Sequence, residues 1–221
     1  GRPRTPDSLP QHEQEMGWMG VESLAQEIRT KGRKAIALDC DVTKKEQVVA
    51  MVDSVQSEFG RLDIIVNNAG LSISKTIEDH TEQDWDILYD VLVKGQFLVT
   101  QNAIDIMRKQ AVGGDILNIV SKNALVSGPN NAGYGSAKAA QLHLSRLNAA
   151  ELGKDKIRVN VINPDAVIAG SNIWSGGWAE GRAKAYGITI AELPAYYAGR
   201  TLLNEIISSS AIGLHFSVKF L

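Results

Sequence analysis

G-D-I-L-N-I-V-S at residues 114–121, Y-G-S-A-K-A-A at 134–140 and I-R-V-N-V-I-N-P at 157–164 together decide the fold of this chain. The first and third runs are apolar and of strand length, and the second opens a longer amphipathic run. The pattern therefore predicts a strand, a helix and a second strand. Such an order is typical of a parallel sheet in an α/β fold.

Three reactive side chains fall within this stretch. Tyr134 and Lys138 are one helical turn apart and share a face, and Ser121 ends a strand where parallel sheets present their sites. A neighbouring ammonium lowers the pKa of a phenol, so Tyr134 is expected to exchange a proton with a substrate hydroxyl near neutral pH. Ser121 is expected to hydrogen-bond the same oxygen. The set lacks an electron acceptor, which implies a hydride-accepting cofactor.

With these residues the chain resembles the short-chain dehydrogenase/reductase family over roughly residues 20 to 205. The residues that carry the resemblance are Asp41, Val42, Asn67, Asn68, Ala69, Gly70, Ser121, Tyr134, Lys138, Asn163 and Pro164. The resemblance implies a Rossmann-type doubly wound parallel sheet and NAD or NADP as cofactor. Ser121, Tyr134 and Lys138 would be catalytic.

The resemblance also implies a set of cofactor contacts. These are Asp41, Val42, Asn67, Asn68, Ala69, Gly70, Tyr134, Lys138, Pro164 and Val167. Asp41 would bind the adenine amino group, the loop 67–70 would pack on the adenosine side, and Lys138 would bind the nicotinamide ribose. Leu92 stands where the family usually has an asparagine that supports a proton-relay water, and we interpret this leucine as core.

The family's glycine-rich turn, T-G-x-x-x-G-x-G, has no counterpart before Asp41, so the choice between NAD and NADP is not readable. We therefore expect a domain that lacks the first two strands and the last strand of the family fold. It would run over 19–207, after a flexible lead at 1–18 and before an irregular tail at 208–221. Divergence at both ends suggests a truncated or frame-disrupted gene product.

Three further runs suggest a subfamily: P-D-A-V at 164–167, G-R-A-K-A-Y-G-I at 181–188 and Y-A-G-R-T-L-L-N-E at 197–205. They look most like the dehydrogenase half of bifunctional rhamnulose-1-phosphate aldolase/alcohol dehydrogenases, which implies lactaldehyde as a candidate substrate. The function expected is hydride transfer between NAD(P) and a secondary alcohol, hydroxy-aldehyde or carbonyl. The alternative is a non-catalytic remnant or dimerisation partner that cannot bind the dinucleotide.

Periodicity predicts the remaining elements. Helices are expected at 21–30, from 43 to about 60, at 81–110, at 133–153 and twice within 172–204, with capping boxes starting at Thr43 and Thr81. Strands are expected at 35–40, 62–67, 115–121 and 157–163. The run 62–67 has no alternation, which predicts a strand covered on both faces. Aromatic residues between 174 and 197 are expected to be packing more often than ligand contacts.

Composition limits the function classes. The 221 residues carry a net charge of −2, which gives no electrostatic case for nucleic acid or an anionic membrane. No apolar run reaches membrane-helix length, the histidines show no metal-ligand spacing, and the single Cys40 fits a reducing compartment. We expect a cytoplasmic protein with a small-molecule substrate and no metal. By resemblance it would form a homo-oligomer through the helices 81–110 and 133–153.

Overall fold

The structure is a computed structural model that describes residues 20–168, 174 and 177–200. Its three strands are β1 (Ile64–Asn67), β2 (Gly114–Ile119) and β3 (Ile157–Ile162). Its helices are α1 (Val21–Thr30), α2 (Lys45–Phe59), α3 (Glu82–Tyr89), α4 (Gly95–Lys109), α5 (Ala132–Leu152), α6 (Gly177–Tyr186) and α7 (Leu193–Ala198). Short 3₁₀ turns occupy Lys122–Ala124, Gly153–Asp155 and Ile190–Glu192.

The three strands form one parallel sheet in the order β1-β2-β3. Asn67 lies opposite Asn118 at one end of the β1–β2 pair, and Ile119 lies opposite Ile162 in the β2–β3 pair. The carboxyl ends of all three strands therefore meet at one edge of the sheet. The predicted α/β fold with a parallel sheet is confirmed.

The main core joins this sheet to its crossover helices. Ile116 and Ile157, from the two strands β2 and β3, are fully buried or nearly so, and Met107 of α4 is fully buried against them. Burying such side chains contributes about 1.5–3 kcal/mol each, which holds the helices on the sheet. The other buried members of this core are Val52, Ile65, Ala103 and Leu152.

The predicted helices are confirmed, although one predicted cap is wrong. Thr81 and Asp84 form the expected capping box at the start of α3. At α2 the first helical residue is Lys45, and Thr43 instead donates its hydroxyl and backbone N–H to the Asp41 carboxylate, at 2.8 and 3.0 Å. The threonine prefers this local turn because an aspartate two residues earlier offers a charged acceptor.

The long helix predicted over 81–110 is present as α3 and α4 joined by a π-helical turn at Asp90–Lys94. Leu92 lies inside this turn and is fully buried. Single π turns within α-helices occur frequently at functional sites. Here Leu92, within the turn, lies beside Gly70.

Two strand predictions are wrong. Residues 35–40 form no strand in the described part of the chain, because no neighbouring strand offers them backbone partners. In β1, Ile65 is buried, whereas Ile64 and Val66 are 36% and 48% exposed. Within the described residues this strand is covered on one face only. A uniformly apolar run cannot show which face of a strand is exposed.

Several expectations concern residues outside the described ranges: the lead at 1–18, the tail at 208–221 and the end of the last predicted helix at 201–204. Within the described ranges, no helix is both long and apolar enough to cross a membrane. The same ranges contain no group of three or more histidine, cysteine, aspartate or glutamate side chains arranged to hold a metal ion.

Candidate active site

Ser121 lies in a tight turn immediately after β2. The backbone N–H of Lys122 donates to the Pro164 carbonyl at 2.9 Å, which ties this turn to the end of β3. The Ser121 hydroxyl accepts the backbone N–H of Asn123 at 3.1 Å and caps the following 3₁₀ turn. Its side chain is therefore fixed at the carboxyl edge of the sheet, where it is 8% exposed.

Helix α5 brings Tyr134 and Lys138 to the same edge. The Lys138 ammonium donates to the Ile119 carbonyl, at the end of β2, at 3.0 Å, and lies 5.7 Å from the centre of the Tyr134 ring. The Ser121 side chain interacts with the Tyr134 phenol and has a lowering effect on its pKa. The structure thus brings together the three side chains that the sequence predicted to converge.

Burial controls the protonation of this group. Removal from water raises the pKa of Tyr134 to about 12, against the smaller lowering effect of the Ser121 side chain. Removal from water also lowers the pKa of Lys138 to about 7. The expected net lowering of the pKa of Tyr134 is wrong for this arrangement, because desolvation disfavours the charged forms of both side chains. Near neutral pH, Tyr134 holds its proton.

Apolar side chains seal this pocket around the Tyr134 ring. Leu88 and Leu92 are fully buried there, and the interpretation of Leu92 as core is confirmed. Trp178 of α6 packs edge-on against the Tyr134 ring, with the two ring centres 5.2 Å apart. This contact explains much of the dryness that shifts the two pKa values.

The loop 67–70 divides into a buried part and an exposed part. The Asn67 amide donates to the Asn118 side-chain oxygen at 2.8 Å, which joins β1 to β2 inside the sheet. Asn68, Ala69 and Gly70 are exposed at the carboxyl edge. A side chain built at Gly70 would contact Leu92 at 3.3 Å, so this loop lies directly beside the pocket wall.

Asp41 and Val42 lie near the other end of the π turn. The Asp41 carboxylate accepts the two bonds from Thr43, and its backbone N–H donates to Gln47 at 2.7 Å. Val42 packs so closely on Gly95 that an added Cβ at the glycine would lie 2.7 Å from a Val42 methyl carbon. The adenosine-side residues suggested by sequence are thus on one flank of the Leu92–Gly95 segment.

Pro164 and Val167 follow β3, and both are half-buried. Asp165 forms an ion pair with Lys122, the residue after Ser121. The loop after β3 is therefore joined to the Ser121 turn by a backbone bond and a side-chain ion pair. Pro164, expected from sequence to be a cofactor contact, thus lies beside the Ser121 turn.

Sequence reasoning missed two residues of α6 that lie near this site. Trp178 was grouped with packing aromatics, and it does pack, but against Tyr134. Arg182 was only part of a subfamily run, and the structure buries its side chain to 3% exposure. The one available signal was their i,i+4 spacing, which places both residues on one face of a helix.

Comparison with known proteins places the chain in a family. The model of the short chain dehydrogenase family matches residues 18–173. The chain is also 42% identical, over 187 residues, to the uncharacterized oxidoreductase YuxG of Bacillus subtilis, covering 83% of this chain and 27% of that protein. The chain therefore belongs to the short-chain dehydrogenase family.

Solved structures agree in fold. Sorbitol-6-phosphate 2-dehydrogenase SrlD from Erwinia amylovora superposes with a TM-score of 0.81 and 26% identity, covering 90% of this chain and 78% of that one. An NAD+-bound xylitol dehydrogenase superposes with a TM-score of 0.79 and 28% identity, covering 88% and 76%. The chain spans 27% of the length of YuxG. It spans 59% and 60% of the lengths of two other curated relatives.

Proposed function

We propose that this chain is an NAD(P)-dependent oxidoreductase that interconverts a secondary alcohol or hydroxy-aldehyde with the corresponding carbonyl. The observation that carries the proposal is the convergence of Ser121, Tyr134 and Lys138 at the carboxyl end of β2, with Tyr134 and Lys138 inside a dry pocket. Membership of the short-chain dehydrogenase family supports the same reaction class.

The proton chemistry follows from the two shifted pKa values. In the direction of reduction, neutral Tyr134 donates its proton to the carbonyl oxygen as that oxygen gains negative charge. Ser121 hydrogen-bonds the same oxygen and holds it beside the phenol. Lys138, whose pKa is about 7, takes the charged form readily and stabilises the phenolate that remains. In oxidation, the phenolate form of Tyr134 accepts the substrate proton.

The described residues fit the nicotinamide end of a dinucleotide. When bound, NAD or NADP supplies the hydride donor or acceptor. Lys138, Pro164 and Val167 would hold this end. The buried Asn163 side-chain oxygen, just after β3, has no hydrogen-bond partner, and a ligand amide would satisfy it. Asp41, Val42 and the loop 67–70 would receive the adenosine end.

Lactaldehyde is the substrate that the subfamily resemblance favours. The resemblance rests on the runs at 164–167, 181–188 and 197–205. A further point in its support is the length of YuxG, of which the matched region covers only 27%. That leaves ample chain in YuxG for a second domain, as a bifunctional relative requires.

A homo-oligomer formed through the helices 81–110 and 133–153 belongs to the same proposal. Trp85 and Phe97 of the first helical segment and Leu147 of the second are 38%, 43% and 53% exposed. Large apolar side chains exposed on neighbouring helices are typical of an interface. Phe97→Glu should shift the oligomer to monomer in size-exclusion chromatography, whereas Leu125→Glu in the exposed loop after Ser121 should not.

The decisive test combines cofactor binding with turnover. Calorimetric titration with NADH and with NADPH should show micromolar binding to one of them. Tyr134→Phe should lower turnover by a factor of about 10²–10⁴ while cofactor binding remains measurable, because it removes the hydroxyl that transfers the proton. Tyr89→Phe, in the same apolar cluster, is the matched control and should keep full activity.

Two results would contradict the proposal. Undiminished turnover in Tyr134→Phe would exclude this mechanism. A folded chain that binds neither dinucleotide would favour the non-catalytic alternative, in which the chain acts as a dimerisation partner.

A further inference from the structure

The side chain of Arg182 is buried, and one of its nitrogen atoms has no hydrogen-bond partner. It is 3% exposed. Its Nη1 donates to the Pro129 carbonyl at 2.7 Å and its Nη2 donates to the Tyr186 hydroxyl, while Nε is buried without a hydrogen-bond partner. A guanidinium has five N–H donors, and these contacts use two of them.

Arg182 also lacks a counter-charge in the described part of the chain. None of the ion pairs formed there includes it. Asp165, a carboxylate that interacts electrostatically with Arg200, is already paired with Lys122. Burying a charge without a partner is costly, so such a group is usually matched by a charge of opposite sign.

The charged groups around Arg182 also favour binding of an anion there. Tyr186, Tyr196 and Tyr197 form a tyrosine cluster beside it. The Lys122 ammonium lies 5.6 Å from the Tyr197 ring, and the Arg200 guanidinium lies 5.6 Å from the Tyr196 ring. Three cations thus surround this cluster, and Asp165 is the one carboxylate that the described contacts place against them.

A single indole ring separates Arg182 from the proposed proton donor. The Arg182 guanidinium carbon lies 5.7 Å from the centre of the Trp178 ring, and that ring centre lies 5.2 Å from the centre of the Tyr134 ring. Arg182 also bonds the Pro129 carbonyl, in the loop between Ser121 and Tyr134 in sequence. Arg182 and Tyr134 therefore lie beside the same indole ring.

We propose that Arg182 binds an anionic group of the substrate, a carboxylate or a phosphate, at a distance of a few carbons from the reacting carbon. The planar guanidinium suits both groups because its paired donors match two oxygens at once. This inference rests on the proposed function for the reacting end of the substrate. Lactaldehyde carries no anionic group, so it and an anionic substrate are alternatives that kinetics with paired substrates distinguish. It makes Arg182 a determinant of substrate specificity.

Anion binding can be tested without turnover. Calorimetric titrations with inorganic phosphate and with acetate should show saturable uptake of at least one anion by the wild-type chain. Arg182→Met should abolish that uptake, and Arg182→Lys should weaken it because an ammonium lacks the paired donors of a guanidinium. Arg146→Met, at an exposed position of α5, should leave the uptake unchanged. No uptake of either anion, or equal uptake by Arg182→Met, would overturn the inference.

Kinetics with paired substrates separates recognition from a structural role. The pairs are a polyol and its terminal phosphate ester, and a hydroxy acid and its amide. Arg182→Met should lower kcat/KM for the preferred anionic member by about 10- to 100-fold and leave the neutral member nearly unchanged. Which pair responds distinguishes phosphate from carboxylate.

Equal losses for both members would mean that Arg182 only ties α6 to the Pro129 loop, and would refute the inference. Near-ultraviolet circular dichroism checks that the variants remain folded. If the wild-type chain turns over neither lactaldehyde nor any member of either pair, the proposed function fails, whereas the anion titrations still decide the role of Arg182.

Discussion

The indole ring of Trp178 meets the phenol ring of Tyr134 edge-on, at a ring-centre distance of 5.2 Å and an angle of 62° between planes. The two residues come from different helices, α6 and α5. Trp178 is 7% exposed and Tyr134 is 6% exposed, so each ring shields the other from water. This contact links the protonation of Tyr134 to the position of α6.

Replacing Trp178 should therefore move the titration of Tyr134. In Trp178→Leu, water gains access to the phenol, and the pKa of Tyr134 should fall from about 12 back towards its ordinary value of 10.0. Ultraviolet difference titration of phenolate absorbance, with the Tyr134→Phe double variant subtracted, measures this shift. Trp85→Leu, which loses a ring stacked on Tyr89, is the control and should not change it. An unchanged Tyr134 titration in Trp178→Leu would show that other residues keep the pocket dry.

Burial of Lys138 should make stability depend on pH. The unfolded chain holds this proton up to about its ordinary value of 10.5, whereas the folded chain releases it near pH 7. Between these values the unfolded state binds more protons, so the free energy of unfolding should rise with pH, by up to about 1.4 kcal/mol per pH unit. Below pH 7 the cost of burying the charged form is present in full.

Urea unfolding at pH 7, 8 and 9 measures this dependence. Lys138→Met removes the titrating group and should show a flatter profile than the wild-type chain. Lys154→Met, at an exposed position after α5, should keep the wild-type slope. Three identical slopes would mean that Lys138 stays protonated in the folded state over this range.

The parts of the site predicted from sequence are those that depend on local geometry. Tyr134 and Lys138 share a helical face by their spacing, and Ser121 follows a strand, so their convergence needed only a parallel sheet. Trp178 and Arg182 approach Tyr134 and Pro129 across more than forty residues of chain, and no local pattern specifies such a contact. The run 35–40 has strand composition, but a strand also needs a partner.

A buried polar network across the sheet could not be predicted from the sequence either. Breaking this network should lower the free energy of unfolding. Asn118 is fully buried, accepts from Asn67 at 2.8 Å and donates to the Ser145 hydroxyl of α5 at 2.8 Å. Asn118→Leu removes both bonds and leaves the Asn67 amide only a 3.5 Å contact with the Thr100 hydroxyl, so it should lower the free energy of unfolding by about 2–4 kcal/mol. Asn160→Leu, at an exposed position of the neighbouring strand, should stay within about 0.5 kcal/mol of wild type. Equal small effects in urea unfolding would argue that the network contributes little.

Gly133, immediately before Tyr134, should not tolerate a side chain although it lies inside a helix. Glycine to alanine in a helix normally stabilises by about 0.5–1 kcal/mol. A Cβ at Gly133, however, would lie 2.8 Å from both the His80 Nε2 and the Leu88 Cδ1, and Leu88 is fully buried. Overpacking at such a site costs about 1–3 kcal/mol, so Gly133→Ala should show a net loss of stability.

Gly153→Ala, at the end of α5, is the matched control. No atom lies within 4 Å of the added Cβ, and the backbone φ of −58° suits alanine. This variant should equal or slightly exceed wild type in thermal unfolding. If Gly133→Ala is as stable as Gly153→Ala, His80 and Leu88 can move aside. The packing on the first turn of α5 would then be too loose to fix Tyr134 in one position against Ser121.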